Sequence, residues 1–270
     1  MNPAAVLYEV IDSVAVVTLN DDERMNPLSE FLQAGLLDAM ERIRGDKTVR
    51  AMLLTARGRG FCSGADLKDF SLRANTMPAG QSLGGYVGDM MNATGNPIAL
   101  GLATMPVPVV CAVNGAAAGG GFGIALAADI VIAAQSAIFY LPFVPALGIV
   151  PDMGAIWALQ RTVGRARASA LSLLGEKLSA EKAAQWGMIW ACVADDDLQA
   201  EALQIAKRMA ALPAHAITET RALLDAAETN NLSQQLKLER ERQAVLIDGE
   251  SFAEGVRAFF ERRKPVFRGR

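Results

Sequence analysis

Two glycine-rich turns in this 270-residue chain each lie between an apolar strand pattern and the start of a helix, at residues 60–66 and 114–121. Glycine has no Cβ, so a ligand carbonyl can approach the backbone closely, and the first N–H groups of a helix have no partner within it. Two such turns can direct two backbone donors at one oxygen atom, which is the arrangement of an oxyanion hole. The alternative is that the glycines only permit close packing of helix on sheet.

One acidic residue, Asp152, lies in an apolar segment, where its neighbours are Ile149, Val150, Pro151 and Met153. Such surroundings desolvate a carboxylate and raise its pKa, as a general base acting on a carbon acid requires. The alternative is that Asp152 is the N-cap of a helix predicted over residues 154–163.

Two other kinds of site receive little support. The turn G-x-C-x-G at 60–64 has the form of a nucleophile elbow with Cys62 as nucleophile, but the base would have to be His215, which lies within a helical pattern. The glycines also do not fit a dinucleotide-binding fingerprint.

The three cysteines are too far apart for a CxxC metal site, and their small number indicates a reducing compartment. We therefore expect no metal.

The composition limits the class of protein. With 51% hydrophobic and 20% charged residues the chain is expected to fold into a sizeable core, and a net charge of −3 argues against a nucleic-acid binder. The N-terminus lacks the features of a signal peptide, so we expect a cytoplasmic protein. Residues 90–128 carry no charge, but prolines, Asn114 and glycines interrupt them, which predicts a buried core segment rather than a membrane span.

The elements that must position these residues follow from periodicity. Ser29 is expected to cap a helix with a period of three to four residues, and another helix should begin near Asp66. Residues 70–88 are rich in Gly, Ser, Asn and Pro and predict a long mobile loop. Short apolar runs predict strands, the first two joined by a hairpin at Asp12-Ser13. These strands are Leu7–Ile11, Val14–Leu19, Ala51–Thr55, Val107–Val113, Ile130–Ala134 and Ile138–Leu141.

From Arg165 onward the pattern is helical almost throughout. One apolar stripe runs from Leu198 to Leu212, and a second contains Phe252, Val256, Phe259 and Phe260. The last 14 residues are basic, ending with Arg268 and Arg270, which predicts either a solvated helix face or a contact with phosphates.

Taken together, these motifs resemble the crotonase (enoyl-CoA hydratase/isomerase) superfamily over essentially the whole chain. The residues that carry the resemblance are the two turns FCSGADL at 61–67 and VNGAAAGGGFGIALAAD at 113–129, F-x-x-P-F-V at 139–144, IVPDMG at 149–154 and EGVRAFFERRKPVF at 254–267. The resemblance implies an α/β fold in which ββα units form a spiral over residues 1–195, with a C-terminal helical region for assembly over 196–270. It also implies a homotrimer or dimer of trimers, and a coenzyme A thioester substrate with no other cofactor.

The resemblance further implies roles for particular residues. The backbone N–H groups of Ala65 and Gly120 fall where the family binds the thioester oxygen, and Asp152 falls where its isomerases place their single acid. Phe259 and Arg262 match positions that approach coenzyme A from a neighbouring subunit, and Arg262 stands where relatives have a lysine. The implied substrate-binding residues are Arg24, Ser63, Asp66, Leu67, Gly119, Phe143, Phe259 and Arg262.

The departures from the family pattern narrow the activity. Hydratases carry two glutamates, at positions that are Gly123 and Phe143 here. Neither residue can move a proton, so an isomerase that takes a proton at one carbon and returns it at another through Asp152 is favoured. The alternatives are hydratase-type activity, an aryl-CoA dehalogenase with Asp152 as nucleophile, and a non-catalytic acyl-CoA-binding homologue. The dehalogenase would be expected to carry an aromatic residue where Val144 stands.

Overall fold

The strands of the protein form two sheets, in a computed structural model that describes residues 4–268 and leaves Arg270 of the basic tail outside. The strands are β1 (Val6–Ile11), β2 (Val14–Leu19), β3 (Ala51–Ala56), β4 (Gly60–Cys62), β5 (Val109–Val113), β6 (Ala116–Ala118), β7 (Ile130–Ala134), β8 (Ile138–Tyr140), β9 (Leu178–Ser179) and β10 (Ala191–Val193). Six strands form the larger sheet, in the order β1-β2-β3-β5-β7-β10, and four form the smaller, in the order β4-β6-β8-β9. All neighbours are parallel except the pairs β1–β2 and β8–β9.

Helices connect the strands and also occupy the chain beyond the last of them. They are α1 (Glu30–Gly45), α2 (Leu67–Ala74), α3 (Leu83–Met90), α4 (Asn96–Ala103), α5 (Gly120–Leu126), α6 (Ala155–Leu174), α7 (Ala180–Gln185), α8 (Leu198–Ala210), α9 (Ala214–Ala227), α10 (Leu232–Ile247) and α11 (Glu250–Phe260). Helix α6 is interrupted at Gly164, and π-helical turns occupy residues 91–95 and 143–147. None of the helices within residues 4–268 is both long and apolar enough to cross a membrane.

Consecutive strands alternate between the two sheets. In the pairs β3–β4, β5–β6 and β7–β8, the first strand joins the larger sheet and the second joins the smaller. A helix comes after each pair: α2 after β4, α5 after β6, and α6 beyond the turn after β8. The predicted spiral of ββα units is therefore confirmed. Because strands β4, β6 and β8 are parallel, their carboxyl ends lie at one edge of the smaller sheet, and the segments that leave them meet there.

The turn and helix caps predicted for the first half of the chain are confirmed. Asp12 and Ser13 both have positive φ, as a two-residue turn between β1 and β2 requires. The hydroxyl of Ser29 accepts a hydrogen bond from Leu32 N at 3.3 Å, and the periodic apolar residues of α1 are buried. Asp66 caps α2 through a bond from Asp69 N.

Other predictions were wrong in detail. Most of residues 70–88 belongs to α2 and α3 rather than to a loop, because Ser82 caps α3 and that helix continues into the packed segment 91–103. Strands β4 and β6 were missed, since their Gly, Cys and Ala residues lack the β-branched side chains that predict strands. Strands β9 and β10 interrupt the predicted helical second half.

The charge-free segment 90–128 is largely core, as predicted. Strand β5 is fully buried between its neighbours, and α5 packs against β4 so closely that Gly121 has no room for a side chain. A Cβ built on Gly121 would lie 2.5 Å from the carbonyl oxygen of Cys62. The turn that precedes α5 is thereby held against the end of β4.

An ion pair attaches the C-terminal helices to the sheet. Arg221 of α9 bonds to the carboxylate of Asp129, and it also donates to the carbonyl of Val107 at 3.1 Å. The same carboxylate accepts from Val109 N at 2.6 Å, at the start of β5. Beyond Val193, the described residues form helices and no further strand.

Candidate active site

The two glycine turns lie in direct backbone contact at the carboxyl ends of β4 and β6. Gly64 has φ of 86°, and a Cβ built on it would lie 2.8 Å from the carbonyl oxygen of Ala118 and 3.2 Å from Gly120 N. Gly119 has φ of 54° and ψ of −126°, a conformation open essentially to glycine alone. The fold therefore brings the turn that contains Ala65 beside the start of α5.

Two backbone donors at this contact have no acceptor within the described residues. Neither Ala65 N nor Gly120 N donates a hydrogen bond, although Gly64 O accepts from Leu28 N at 2.8 Å and Gly119 N donates to Tyr140 O at 3.0 Å. Gly120 is the first residue of α5, where an N–H has no intrahelical partner. The neighbouring backbone groups are paired, so the two free donors are fixed in direction.

The three glycines at 119–121 serve different purposes. Gly119 supplies a backbone conformation, Gly121 allows α5 to pack on Cys62, and Gly120 presents its N–H beside the first turn. The packing interpretation of the glycine run therefore applies to Gly121, whereas the oxyanion hole at Gly120 stays a prediction.

Asp152 lies next to Gly120, the residue that carries one of these donors. Its Oδ1 would be 3.7 Å from a Cβ built on Gly120. This oxygen is buried and has no hydrogen-bond partner within the described residues, and burial raises the pKa of Asp152 to about 6. A carboxyl group with such a pKa can both take and return a proton near neutral pH.

The capping interpretation of Asp152 is wrong. Helix α6 begins at Ala155 with Gly154 as its N-cap, and no side chain caps it. At the start of this helix, Asp152 contributes only its backbone carbonyl, which accepts a hydrogen bond from Ala155 N at 2.9 Å. The buried Oδ1 has no hydrogen-bond partner, and burial outweighs the one bond, from the backbone N–H of Asp152 itself, that lowers the pKa of the carboxyl group.

Gly123 and Phe143 occupy the two positions at which the resemblance implies glutamates in hydratases. A Cβ built on Gly123 would lie 2.5 Å from the carbonyl oxygen of Met153, so this position has no room for a side chain. Phe143 is buried, and its Cζ would be 3.7 Å from a Cβ on Gly119. The aromatic ring therefore places an apolar surface beside the start of α5.

The predicted substrate-binding residues fall into two groups. Arg24 forms an ion pair of 2.7 Å with Asp66, which places both beside the exposed Leu67 at the start of α2, and Ser63 N bonds to Met25 O at 3.0 Å. Phe259 and Arg262 lie at the exposed end of α11. Within the described residues, no hydrogen bond, ion pair or ring contact joins those two to the turns around Asp152.

Cys62 is not a nucleophile. Its side chain is fully buried under Gly121, and burial raises the pKa of its thiol to about 12. His215 lies on α9, where it lines a groove between the C-terminal helices. Among residues 4–268, no cluster of three His, Cys, Asp or Glu side chains is arranged to hold a metal ion.

Sequence reasoning missed two residues of the site. Leu28 pairs with the first turn, and its Cδ1 would lie 2.7 Å from a Cβ on Gly120, so it touches both donor turns. Met153 also contacts Gly120. Both are apolar residues beside polar ones, and their sequence pattern predicts burial without indicating what they touch.

Comparison with known proteins identifies relatives over the full length. A family model described as enoyl-CoA hydratase/isomerase matches residues 9–270. A protein of Escherichia coli (strain K12) described as 1,2-epoxyphenylacetyl-CoA isomerase is 43% identical over 98% of both chains. A protein of Rhodobacter capsulatus described as a probable enoyl-CoA hydratase is 40% identical over 100% of both chains.

Solved structures show the same fold. The crystal structure of a protein of Mycobacterium abscessus, described as a candidate enoyl-CoA hydratase/isomerase, superposes with a TM-score of 0.91 at 34% identity. The match covers 98% of this chain and 100% of that chain. An enoyl-CoA hydratase from Polaromonas sp. JS666 gives a TM-score of 0.87 at 29% identity, over 97% of this chain and 99% of that one.

The raised pKa of Asp152 leads to a prediction about stability. The pKa of Asp152 rises from 3.8 to about 6 on folding, so the folded protein holds this proton more tightly than the unfolded chain. Ionisation between pH 4 and 6 therefore destabilises the fold. We expect Asp152→Asn to raise the free energy of unfolding by about 2–3 kcal/mol at pH 8, and by about half as much at pH 5.

Urea unfolding at the two pH values measures this gain. The matched control is Asp38→Asn, at an exposed position on α1, which should leave stability unchanged at both. Equal effects of Asp152→Asn at pH 5 and pH 8 would contradict the prediction.

Proposed function

Because this chain belongs to the enoyl-CoA hydratase/isomerase family, we propose that it isomerises an acyl-CoA thioester, with Asp152 as the only acid/base group. The observation that carries the proposal is the half-buried Asp152, whose buried Oδ1 has no hydrogen-bond partner among the described residues and lies beside Gly120. The reaction moves a double bond between the 3 and 2 positions, or rearranges a related ring or epoxide thioester. The relative described as an epoxyphenylacetyl-CoA isomerase supports the second class.

In the proposed reaction the thioester oxygen accepts hydrogen bonds from Ala65 N and Gly120 N. The carboxylate of Asp152 takes a proton from carbon, and the negative charge passes to the thioester oxygen as an enolate. The protonated Asp152 then returns the proton to a different carbon. The two donors favour the enolate over the neutral thioester because they act more strongly on the developing charge.

Hydration needs groups that this site does not offer. It requires one group to activate a water molecule and another to deliver a proton, and the two hydratase glutamate positions are Gly123 and Phe143. The Met153 carbonyl occupies the space beside Gly123. The obstacle to hydratase activity is therefore steric as well as chemical.

Coenzyme A is proposed as part of the substrate, and no further cofactor is required by the chemistry. The turn of residues 63–67, with Arg24 paired to Asp66, would receive its adenosine portion. Phe259 and Arg262 would reach it from a neighbouring subunit, where the guanidinium group suits a phosphate.

A substrate panel tests the proposed activity. We expect the purified protein to isomerise a 3-enoyl-CoA or a ring-epoxide arylacetyl-CoA, and to hydrate crotonyl-CoA far more slowly. Mass spectrometry separates the two, since hydration adds the mass of water and isomerisation does not. Hydration of crotonyl-CoA at ~1–10³ per second, the usual enzyme range, would count against the isomerase. Binding without turnover would instead indicate a non-catalytic acyl-CoA-binding protein.

The role of Asp152 is tested by the same asparagine variant. We expect Asp152→Asn to lower turnover and exchange of the substrate α-proton with D₂O by roughly 10² to 10⁴, because an amide cannot accept the proton. Coenzyme A binding should remain near wild type, and the variant should be at least as stable as the wild type. In the wild type, exchange should rise with pH through about 6 as the carboxyl ionises. Wild-type exchange in the variant would refute the mechanism, and Asp38→Asn is again the control.

The C-terminal helices support a proposal about assembly. An apolar groove of about 530 Å³ lies between α9, α10 and α11, and Phe259 and Phe260 are 78% and 79% exposed. With the family's architecture, this apolar surface supports a homotrimer or a dimer of trimers.

Light scattering at micromolar concentration should give the mass of a trimer or hexamer. We expect Val256→Asp, which introduces a charge into the groove, to shift the distribution toward smaller species. Phe31→Asp, at an exposed position on α1, should not do so. A wild-type monomer would contradict the proposal.

A further inference from the structure

Met153, the residue after the proposed acid, adopts an unusual backbone conformation. Its φ is 52°, in the left-handed region that is unfavourable for a residue with a Cβ. Glycine would occupy this position without strain, as Gly154 does next to it with φ of 75°. A methionine held in this conformation points to a requirement for its side chain.

That side chain fills space left by glycines in two other segments. Met153 is only 6% exposed. Its Sδ would lie 3.1 Å from a Cβ on Gly95, in the π-helical turn before α4, and its Cγ would lie 3.2 Å from a Cβ on Gly120. Its own Cβ and carbonyl pack against Gly123 of α5. The π-helical turn before α4 and the start of α5 therefore both pack against the Met153 side chain.

The same contacts connect the acid to the oxyanion donor. The Met153 side chain and the Asp152 carboxyl approach the same Cα, that of Gly120. Among the described residues, the carboxyl group is hydrogen-bonded only by its own backbone N–H, and Oδ1 has no partner. Its position is set by the backbone on either side, where Pro151 fixes one torsion and the buried Met153 anchors the next residue.

We infer that Met153 is a positioning residue for proton transfer: it holds the Asp152 carboxyl at a fixed distance from Gly120 N and keeps water away from it. This inference rests on the proposed function, since it assumes that Asp152 moves the proton. Replacing the side chain by a smaller one would let the acid move and would admit water to Oδ1. A hydrated carboxyl ionises at lower pH and aligns less well with the substrate carbon.

Kinetics of Met153→Ala test the positioning role. We expect kcat to fall about tenfold or more with KM within about twofold, because none of the thioester-binding groups is substituted. The pH midpoint of kcat/KM should move from about 6 toward that of an ordinary aspartate. Met153→Leu, which restores apolar bulk, should recover most of the turnover. Met188→Ala removes an equally buried methionine after α7 and should move neither kcat nor the midpoint.

A second measurement needs no substrate. In the wild-type background, Asp152→Asn should lower the unfolding equilibrium constant at both pH values. The factor by which it does so should be about tenfold larger at pH 8 than at pH 5. In the Met153→Ala background this difference should fall below about threefold, because the hydrated carboxyl is no longer shifted. An unchanged difference would overturn the inference even if turnover were lost. If wild-type protein exchanges no substrate proton, the proposed function fails while this measurement still decides whether Met153 shields Asp152.

If Met153→Ala does not fold, Met153→Gln can be tested in its place. Met153→Gln keeps the length of the side chain and places an amide beside the carboxyl, which should also lower the pH midpoint of kcat/KM and shrink the pH difference in stability. If Met153→Gln, or a folded Met153→Ala, keeps the wild-type midpoint and the wild-type pH difference, Met153 is a packing residue and the inference is wrong.

Discussion

The site depends on the contact between two strand-to-helix turns, which touch through backbone atoms at Gly64. Gly64 lies against Ala118 and Gly120 at a distance that a single Cβ would prevent. The contact exists because β4 and β6 are parallel neighbours in the smaller sheet, paired at Gly60 with Ala116 and at Cys62 with Ala117. The register of two three-residue strands thereby fixes the separation of Ala65 N and Gly120 N. Helix α5 reinforces it, since Gly121 rests on Cys62.

Around this contact, glycines on one element leave space that residues of another element fill. Gly120 leaves room for Leu28, Met153 and the Asp152 carboxyl, and Gly123 leaves room for the Met153 backbone. A second acid at position 123 would require the 149–154 segment to move, and with it the existing acid. The departures from the hydratase pattern are therefore linked: the missing glutamate and the position of Asp152 belong to one packing arrangement.

The sequence predicted the parts of the fold that depend on local signals. The hairpin at Asp12-Ser13, the capped helix α1 and the buried strand β5 follow from turn chemistry and periodicity, and the structure contains all three. Strands β4 and β6 could not be predicted, because pairing in the smaller sheet holds Gly60–Cys62 and Ala116–Ala118 extended despite weak intrinsic preference. The loop prediction for 70–88 failed because it overlooked the Ser82 cap of α3. For the site, the residue types indicated an oxyanion hole and an acid, whereas the unpaired state of Asp152 and the contacts of Met153 required coordinates.

The start of α6 shows how stability and reactivity oppose each other here. Asp152 lies two residues before the N-cap Gly154, close enough that a different backbone path would let its carboxylate cap the helix. Such a cap would stabilise the helix, but bonds from backbone N–H groups favour the ionised form and would lower the pKa of the acid. Left-handed conformations at Met153 and Gly154 prevent this path. Helix α6 is left without a side-chain cap, and Oδ1 of Asp152 is buried and unpaired. Each of these features is unfavourable for folding alone, and the dense packing of β4, β6 and α5 around them provides the stability that offsets the cost. The raised pKa of Asp152 is thus a property of the whole arrangement, since a backbone path that exposed or capped its carboxyl group would return Asp152 to an ordinary aspartate.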